Sequence, residues 1–219
     1  MMTRKAKRMK ITDISMDIHN RMAVYKGRQE NLPVYTREKE MPKDSINESS
    51  IQMNLHTGTH MDSPRHMMQS GWTMEEMPLE KLITRCKVLD LTGAQDAVTQ
   101  SDLEHFDIRK DDFILLKTQN SFGLVFGPDF IYIRKDAAEY LAQKEIKGIG
   151  TDALGVERDQ PGHETHLAFL KNDIIIIEGL DLKNAEPGSH LLIALPLKIK
   201  GAEGAPARAV LVDDLSELN

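Results

Sequence analysis

The sequence predicts a mixed α/β protein in which strands outnumber helices. Apolar runs of strand length recur from residue 87 onward, and several are apolar almost throughout, which is typical of strands buried on both faces. Amphipathic helical patterns separate only some of these runs, and the last runs follow one another directly. That succession argues against a strictly alternating, doubly wound sheet.

The predicted strands begin with SIQMNLH, in which Ile51, Met53 and Leu55 alternate with polar residues as in a half-buried strand. The later strand candidates are the apolar runs at 87–91, 113–118, 147–152, 173–182, 191–199 and 209–215. Cys86 lies just before the first of these runs. We expect its thiol to be buried and inert, because no activating partner is evident nearby.

Three helical segments fall between the strands. Ser101 with Glu104 three residues later forms a capping-box pattern, which predicts that a helix begins there. The segment HETHLAFLKN, residues 163–172, predicts a shorter helix after a Pro-Gly pair. Between them, RKDAAEYLAQKEI places its apolar residues on one stripe: Ala137, Tyr140, Leu141 and Ile146.

The composition is that of an ordinary globular protein. The chain has 219 residues, 40% of them hydrophobic and 28% charged, which predicts one domain over 1–219 with a sizeable core. We expect the basic cluster within 1–10 to be a solvated, mobile leader. The net charge of -6 argues against nucleic acid as a partner. No apolar run could span a membrane, no export signal is evident, and one cysteine cannot form an internal disulfide, so the cytoplasm is the default location.

The polar stretch 26–50 is the longest segment without a regular pattern. A loop of this length in a compact domain is often functional, as a lid or a partner-binding arm. The alternative is a mobile surface loop, and the sequence leaves both open.

The motif HTGTHMDSPRH, His56 to His66, holds three histidines in a chain that has only 8. Its glycine and proline favour a strand end and a turn over a helix. Two neutral imidazoles and one carboxylate are a standard catalytic metal set that leaves positions for water and substrate. We therefore predict a divalent metal on His56, His60 and Asp62. Zinc suits such ligands, with manganese or iron as alternatives, and His66 is either another ligand or an acid–base group.

A second polar cluster lies about a hundred residues downstream. PGHETH contains His163 and His166, and the run of four isoleucines is followed by Glu178. A carboxylate buried at the end of such a strand must be paired, protonated or bound to a metal. The alternative for Glu178 is a strand-end position that faces water.

The first motif resembles HxGTHxDxPxH, the signature of the metal-dependent cyclase-like hydrolases, which include bacterial kynurenine formamidases (arylformamidases) and isatin hydrolases. Every fixed position of the signature is met. The resemblance continues in DISMDIHNRMAVYKG, KGIGTDALGVE and HETHLAFLKNDIIIIEGLDL, and it weakens in 26–50 and at the basic N-terminus. It implies a swivelling β/β/α core with a mixed, barrel-like sheet and peripheral helices. It also implies a homodimer or higher homo-oligomer in which segment 1–50 helps to cover a neighbouring site.

The resemblance further implies roles for individual residues. In formamidases of this family, the residues that match His56, His60 and Asp62 bind one metal, and those that match Asp62, His166 and Glu178 bind a second. Isatin hydrolases hold a single metal on the first set, so one or two ions remain open here. The residue that matches His66 donates and accepts the proton. We expect His163 to hydrogen-bond to a ligand rather than to bind metal.

These roles imply hydrolysis of a small amide, with N-formylkynurenine as the leading substrate. A bound divalent metal lowers the pKa of its water, hydroxide attacks the formyl or amide carbonyl, and His66 gives a proton to the departing amine. The first alternative is a cyclic amide such as isatin, or another acyl substrate. The second is a non-catalytic, metal-stabilised module that binds a small ligand.

Several other residues carry weaker expectations. Formamidases of this family often have tryptophan where this chain has Tyr25, which still offers an aromatic face to a substrate but leaves the substrate open. Trp72 could line the pocket or anchor the core. We expect the methionines around the motif to fill the core, with an adaptable pocket wall as the alternative. We expect Asp152 to stabilise a turn, and we expect Glu157 and Arg158 to be exposed. Three residues that follow a predicted strand could face the same cleft: Lys117, Thr118 and Asn120.

Overall fold

The structure, a computed structural model, describes residues 9–123, 129–158 and 160–213. The strands are β1 Lys10–Asp13, β2 Val34–Lys39, β3 Glu48–Gln52, β4 His60–Asp62, β5 Ile83–Asp90, β6 Ala97–Val98, β7 Phe113–Lys117, β8 Tyr132–Ile133, β9 Gly148–Thr151, β10 Ile175–Glu178, β11 Gly188–Pro196 and β12 Gly204–Asp213. The helices are α1 Gln100–Leu103, α2 Lys135–Gln143 and α3 Glu164–Leu170.

One mixed sheet dominates the fold, with the strand order β1-β12-β11-β5-β7-β9-β10-β4. Strand β4 also pairs with β12, so that seven of these strands close into a barrel-like core and β1 lies outside it. Strands β5, β7, β9 and β10 are parallel, whereas β11 and β12 are antiparallel neighbours. The prediction of a mixed α/β fold with a barrel-like sheet and peripheral helices is confirmed.

The central strands are apolar throughout because each of their faces covers a separate core. In β7, Phe113 and Leu115 point into a core cluster shared with β11 and β12, whereas Ile114 and Leu116 point into a second cluster beneath the helices. Residues alternate between the two faces of a strand, so a sheet covered on both sides needs uninterrupted apolar sequence. All six apolar runs predicted as strands contain a strand.

The strand predicted from Ile51, Met53 and Leu55 forms at Ile51 but not at Met53 or Leu55, and the prediction that it is half-buried is wrong. The observed strand β3 ends at Gln52, is exposed along its whole length, and pairs only with β2 in a two-stranded hairpin. Met53 and Leu55 belong to the turn that follows. Local alternation of apolar residues predicted a sheet face, but this hairpin has no second layer of described residues against it.

Segment 26–50 is more regular than its sequence suggested. It contains two short 3-10 turns and most of the β2–β3 hairpin. The predicted leader falls largely on residues 1–8, which lie outside the described residues, and Lys10 already begins β1.

The helix predicted to begin at Ser101 starts earlier. Thr99 is the N-cap of α1, and its backbone N–H donates to Asp102 Oδ2 at 2.8 Å, so Asp102 takes the place expected for Glu104. Two overlapping capping patterns compete here, and the one that begins at Thr99 forms. Helices α2 and α3 form where predicted, with Ala137 and Leu141 buried. In the part of the chain that the structure describes, no helix is long and apolar enough to cross a membrane.

Candidate metal centre

The short strand β4 and its neighbour β10 place three potential ligands on one face. His60 and Asp62 are two residues apart, and alternate residues of a strand point to the same side. His60 lies opposite Glu178 in the antiparallel β4–β10 ladder, so the Glu178 carboxylate joins that side. Met61 points the other way, into the core. Glu178 is only 4% exposed, which excludes a strand-end position that faces water.

His60 is held in the tautomer that a metal ligand requires. Its Nδ1 lies 2.9 Å from the carbonyl oxygen of Gly58, and because a carbonyl only accepts, we assign the hydrogen to Nδ1. Nε2 then faces the carboxylates, 3.2 Å from Glu178 Oε2 and 3.7 Å from Asp62 Oδ1, and is the nitrogen that could bind a cation placed between them. Gly58 can make this turn because its φ of 66° is unstrained for glycine.

His56 and His166 reach Asp62 from different directions. The Nδ1 atom of His56, in the turn before β4, lies 2.9 Å from Asp62 Oδ1. The Nε2 atom of His166, on α3, lies 3.5 Å from Asp62 Oδ2 and 3.4 Å from Glu178 Oε1. Asp62 therefore turns one oxygen toward the motif histidines and the other toward His166. Glu178 divides its oxygens between His60 and His166 in the same way.

The electrostatics of the cluster favour positive charge. Burial opposes ionisation of Asp62, yet His166 and His56 hold the pKa of Asp62 well below its usual range. Burial and the neighbouring Asp62 both raise the pKa of Glu178, but His166 and His60 lower it to about 2. Burial opposes protonation of His166, but the surrounding carboxylates raise its pKa well above the ordinary value. Two buried carboxylates with oxygens within 4.8 Å of each other require cationic charge between them.

The unpaired atoms of the cluster fit a divalent cation. Five buried atoms of these side chains lack a hydrogen-bond partner among the described residues. They are His56 Nε2, His60 Nε2, Asp62 Oδ1 and Asp62 Oδ2, together with His166 Nδ1, which lies on the Glu157 side of its ring rather than between Asp62 and Glu178. Buried polar atoms are normally paired, and imidazole nitrogens with carboxylate oxygens form the donor set of zinc and of similar divalent metals. The predicted metal site is thus chemically consistent with the arrangement found.

His66 lines a cavity of about 410 Å³ together with His56, His166 and Glu178 of the cluster. Its ring centroid is 4.2 Å from that of His56 and 5.7 Å from that of His166. Burial lowers the pKa of His66, since the added effects of the neighbouring carboxylates are smaller. The ring is therefore neutral near pH 7, a state in which one nitrogen can accept a proton and the other can donate one.

The lining of the cavity is partly apolar. Tyr25, Met67 and Leu154 line it, and the Tyr25 ring centroid lies 6.4 Å from that of Phe130 behind it. Tyr25 is thus in the cavity, as expected. Of the motif methionines, Met61 fills the core as predicted, whereas Met67 forms part of the wall.

The expectation that Glu157 and Arg158 are exposed is wrong. Glu157 is 2% exposed, and its Oε2 accepts the backbone N–H groups of Thr165 and His166 at the start of α3. Glu157 Oε1 lies 2.6 Å from His163 Nδ1, so His163 contacts a carboxylate behind His166. The Arg158 side chain is 18% exposed and stacks on Tyr132. Local polarity suggested a surface loop, but the loop passes beneath α3.

Other residues singled out by the sequence lie away from the cavity. Trp72 packs against the core, and its indole N–H donates to Asp173 at 3.2 Å. Asp152 accepts hydrogen bonds from the chain that follows β7, which confirms its turn-stabilising role. Thr118 and Asn120 are donors to Asp152, and Lys117 donates to the carbonyl of Ala185, so none of the three lines the cavity. Cys86 is buried in the core as predicted.

Comparisons with known proteins cover nearly the whole chain. A family model described as "Putative cyclase" matches residues 12–158. The kynurenine formamidase of Salinibacter ruber is 33% identical over 212 residues, which are 94% of this chain and 98% of that protein. The kynurenine formamidase of Bacillus cereus is 30% identical over 204 residues, which are 91% of this chain and 95% of that protein.

Two solved structures are also similar to this chain over nearly its full length. The structure of a predicted metal-dependent hydrolase from Bacillus stearothermophilus has a TM-score of 0.87 and 45% identity, and the match covers 95% of this chain and 100% of that chain. Isatin hydrolase A from Labrenzia aggregata has a TM-score of 0.80 at 22% identity, with 93% of each chain covered. At that identity the second likeness supports the fold alone.

Proposed function

The chain belongs to the Cyclase family, and from that premise we propose that it is a metal-dependent hydrolase that cleaves the C–N bond of a small amide. The leading substrate is an N-formylated aryl amine such as N-formylkynurenine, because two kynurenine formamidases are at least 30% identical to this chain over nearly its full length.

One observation carries the proposal: Asp62 and Glu178 each divide their two oxygens between the histidines of the motif and His166. A carboxylate that faces two sets of nitrogen donors can bridge two cations. We assign His56, His60 and Asp62 to a first cation position, and Asp62, His166 and Glu178 to a second. The donors suit zinc, and manganese is compatible with the same set.

A divalent cation bound there would polarise a carbonyl and lower the pKa of a water molecule toward neutrality. The chain supplies the remaining functions. His66 lines the cavity beside the cluster, where it can accept a proton and deliver it to the departing amine, which is too basic to leave as an anion. Tyr25, Met67 and Leu154 offer an apolar wall for the aryl group of a substrate.

The test is hydrolysis by the purified, metal-loaded protein of N-formylkynurenine, substituted formanilides and isatin, with formate release measured for the formyl substrates. We expect cleavage of the formyl substrates and its loss in the Asp62→Ala variant. Preferential ring opening of isatin would replace the proposed substrate with a cyclic amide. A protein that binds metal at a closed site and hydrolyses none of these would be a non-catalytic binding module.

We also infer that the chain works as a homodimer or higher homo-oligomer in which the β2–β3 hairpin contacts a second copy. Both strands are exposed throughout, and the hairpin carries large exposed apolar residues, among them Val34, Tyr35 and Ile51. Tyr35 and Ile51 are directly paired across the strands, so they form one apolar patch. A two-stranded hairpin is marginally stable without a packing partner.

Light scattering at micromolar concentration should show an oligomer, and the double variant Tyr35→Ser with Ile51→Ser should shift it to a monomer. Leu79→Ser, which changes an exposed leucine outside the hairpin, is the matched control. A monomeric wild-type protein would exclude this assembly.

The single buried thiol is compatible with a cytoplasmic location, which fractionation of the source cells would test.

A further inference from the structure

Glu157 is a buried carboxylate that the proposed chemistry does not use. All its described polar contacts belong to the chain around His166. Oε2 lies 3.1 Å from the backbone nitrogen of Thr165 and 3.3 Å from that of His166. Oε1 lies 2.6 Å from His163 Nδ1 and 3.0 Å from His166 Nδ1. The carboxylate is therefore anchored through the start of α3 and directed at the rear of the His166 ring.

This contact determines which nitrogen of His166 faces the cation position. A carboxylate only accepts hydrogen bonds, so a hydrogen on Nδ1 is favoured and Nε2 is the nitrogen available to bind a cation. Nε2 is the atom that lies between Asp62 and Glu178. At 3.0 Å the His166 Nδ1 atom is within reach of Oε1, although its N–H is turned away from the straight hydrogen-bond direction.

We propose that Glu157 is a positioning residue that sets the affinity of the second cation position by orienting His166. This inference rests on the two-cation site proposed above. Carboxylates behind metal-bound histidines fix the ring and increase its basicity, and their loss typically costs about 10–100-fold in metal affinity. The first cation position has no contact with Glu157 among the described residues, so its affinity should not depend on this carboxylate.

His163 shares the same carboxylate oxygen but occupies a different place. It precedes α3 with φ 50°, and its side chain is 53% exposed toward the cavity. If Glu157 acts through His166, removal of the His163 ring should leave the second cation position intact. The His163→Ala variant therefore distinguishes an effect of Glu157 on the orientation of His166 from a general effect on the loop before α3.

The experiment is a titration of metal-free protein with Co²⁺, in which visible absorption reports the geometry of each ion and equilibrium dialysis reports the count. The variants are Glu157→Ala, Glu157→Gln and His163→Ala. Glu164→Gln is the matched control, since it removes a charge from the start of the same helix at an exposed glutamate that pairs with Lys135. Circular dichroism identifies the variants that fold.

We expect wild type to bind two ions per chain. Glu157→Ala should weaken the second by about 10–100-fold and change its spectrum, with the first unaffected. The affinity of Glu157→Gln for the second ion should lie between those of wild type and Glu157→Ala, because an amide oxygen still accepts a hydrogen bond and the side-chain volume is preserved. His163→Ala and Glu164→Gln should match wild type.

Several results would overturn the inference. Equal weakening of both ions would make Glu157 a general structural residue, and unchanged affinity in the folded Glu157→Gln and Glu157→Ala variants would leave it without this role. Glu157 Oε1, His163 Nδ1 and His166 Nδ1 also lie close enough together to hold a cation themselves. Loss of an ion in both Glu157→Ala and His163→Ala would reveal such a site instead. An active wild-type enzyme with one ion per chain would overturn the inference and leave the hydrolase proposal standing.

Discussion

The imidazole of His56 occupies the space that a side chain at Gly204 would fill. A Cβ at position 204 would lie 2.7 Å from His56 Cε1 and 2.9 Å from His56 Nε2. Gly204 is opposite Asp62 in the β12–β4 ladder, so the missing side chain opens the sheet beside the proposed ligands. The His56 position therefore depends on a glycine that is remote in sequence.

Gly204→Ala should displace His56 from Asp62 while the fold is retained, since the glycine has no conformation that alanine cannot adopt. We expect weaker binding of the first cation and a loss of turnover approaching about 10²-fold, the scale of a misplacement of about 1 Å. Gly93→Ala is the control, because nothing lies near its added methyl group. Wild-type metal affinity in Gly204→Ala would show that His56 adapts or does not bind metal.

Metal removal should destabilise the protein, because Asp62 and Glu178 are buried side by side and need a cation between them. A free metal concentration about 1,000 times the dissociation constant adds about 4 kcal/mol to the free energy of unfolding. In a chain of this size, each kcal/mol of that free energy shifts Tm by about 2–4 °C. A chelator should therefore lower Tm by roughly 10 °C. Differential scanning fluorimetry measures this shift. The Asp62→Ala variant should not respond to chelator, and an equal response would place the stabilising metal elsewhere.

The local part of the site could be predicted from the motif itself, whereas its assembly with His166 and Glu178 could be anticipated only through the family resemblance. His56, His60 and Asp62 lie within one short motif. The glycine and proline of this motif predict the turn that brings the three side chains together. The pairing of His60 with Glu178 depends on the register of β4 against β10, two strands separated by more than a hundred residues. Single-strand periodicity carries no information about that register.

The burial of Glu157 is a second feature that the sequence pattern does not predict. Its neighbours in VERDQPG are polar, which is the usual composition of a surface loop. Its burial follows from the packing of α3 over this loop, and the backbone N–H groups at the helix start supply the hydrogen bonds that a buried carboxylate needs. A sequence pattern that reports only polarity cannot distinguish a solvated carboxylate from one that is satisfied inside the protein.

The Cys86 thiol should be unreactive in the native protein. Cys86 is 2% exposed, and burial raises the pKa of its thiol to about 12, so almost no thiolate forms near neutral pH. A thiol reagent such as Ellman's reagent should give no reaction with the folded chain and one equivalent after unfolding. Cys86→Ala should retain turnover, whereas a large loss of kcat in a folded variant would bring the thiol into the chemistry.

The last prediction separates the proton carrier from the metal ligands. His66→Ala should keep its metal and its substrate affinity but lose about 10²–10⁴-fold in kcat, the usual contribution of acid–base catalysis. His60→Ala should instead lose metal and activity together, because Nε2 of His60 is among the unpaired atoms that face both carboxylates. The loss in His66→Ala should shrink for formanilides whose leaving amine is less basic and needs less protonation. Metal content and kcat across a series of ring-substituted formanilides measure both effects. Metal loss equal to that of His60→Ala would make His66 a ligand, and retained metal with unchanged kcat would move the proton transfer to another group, with His163 at the cavity edge as the next candidate.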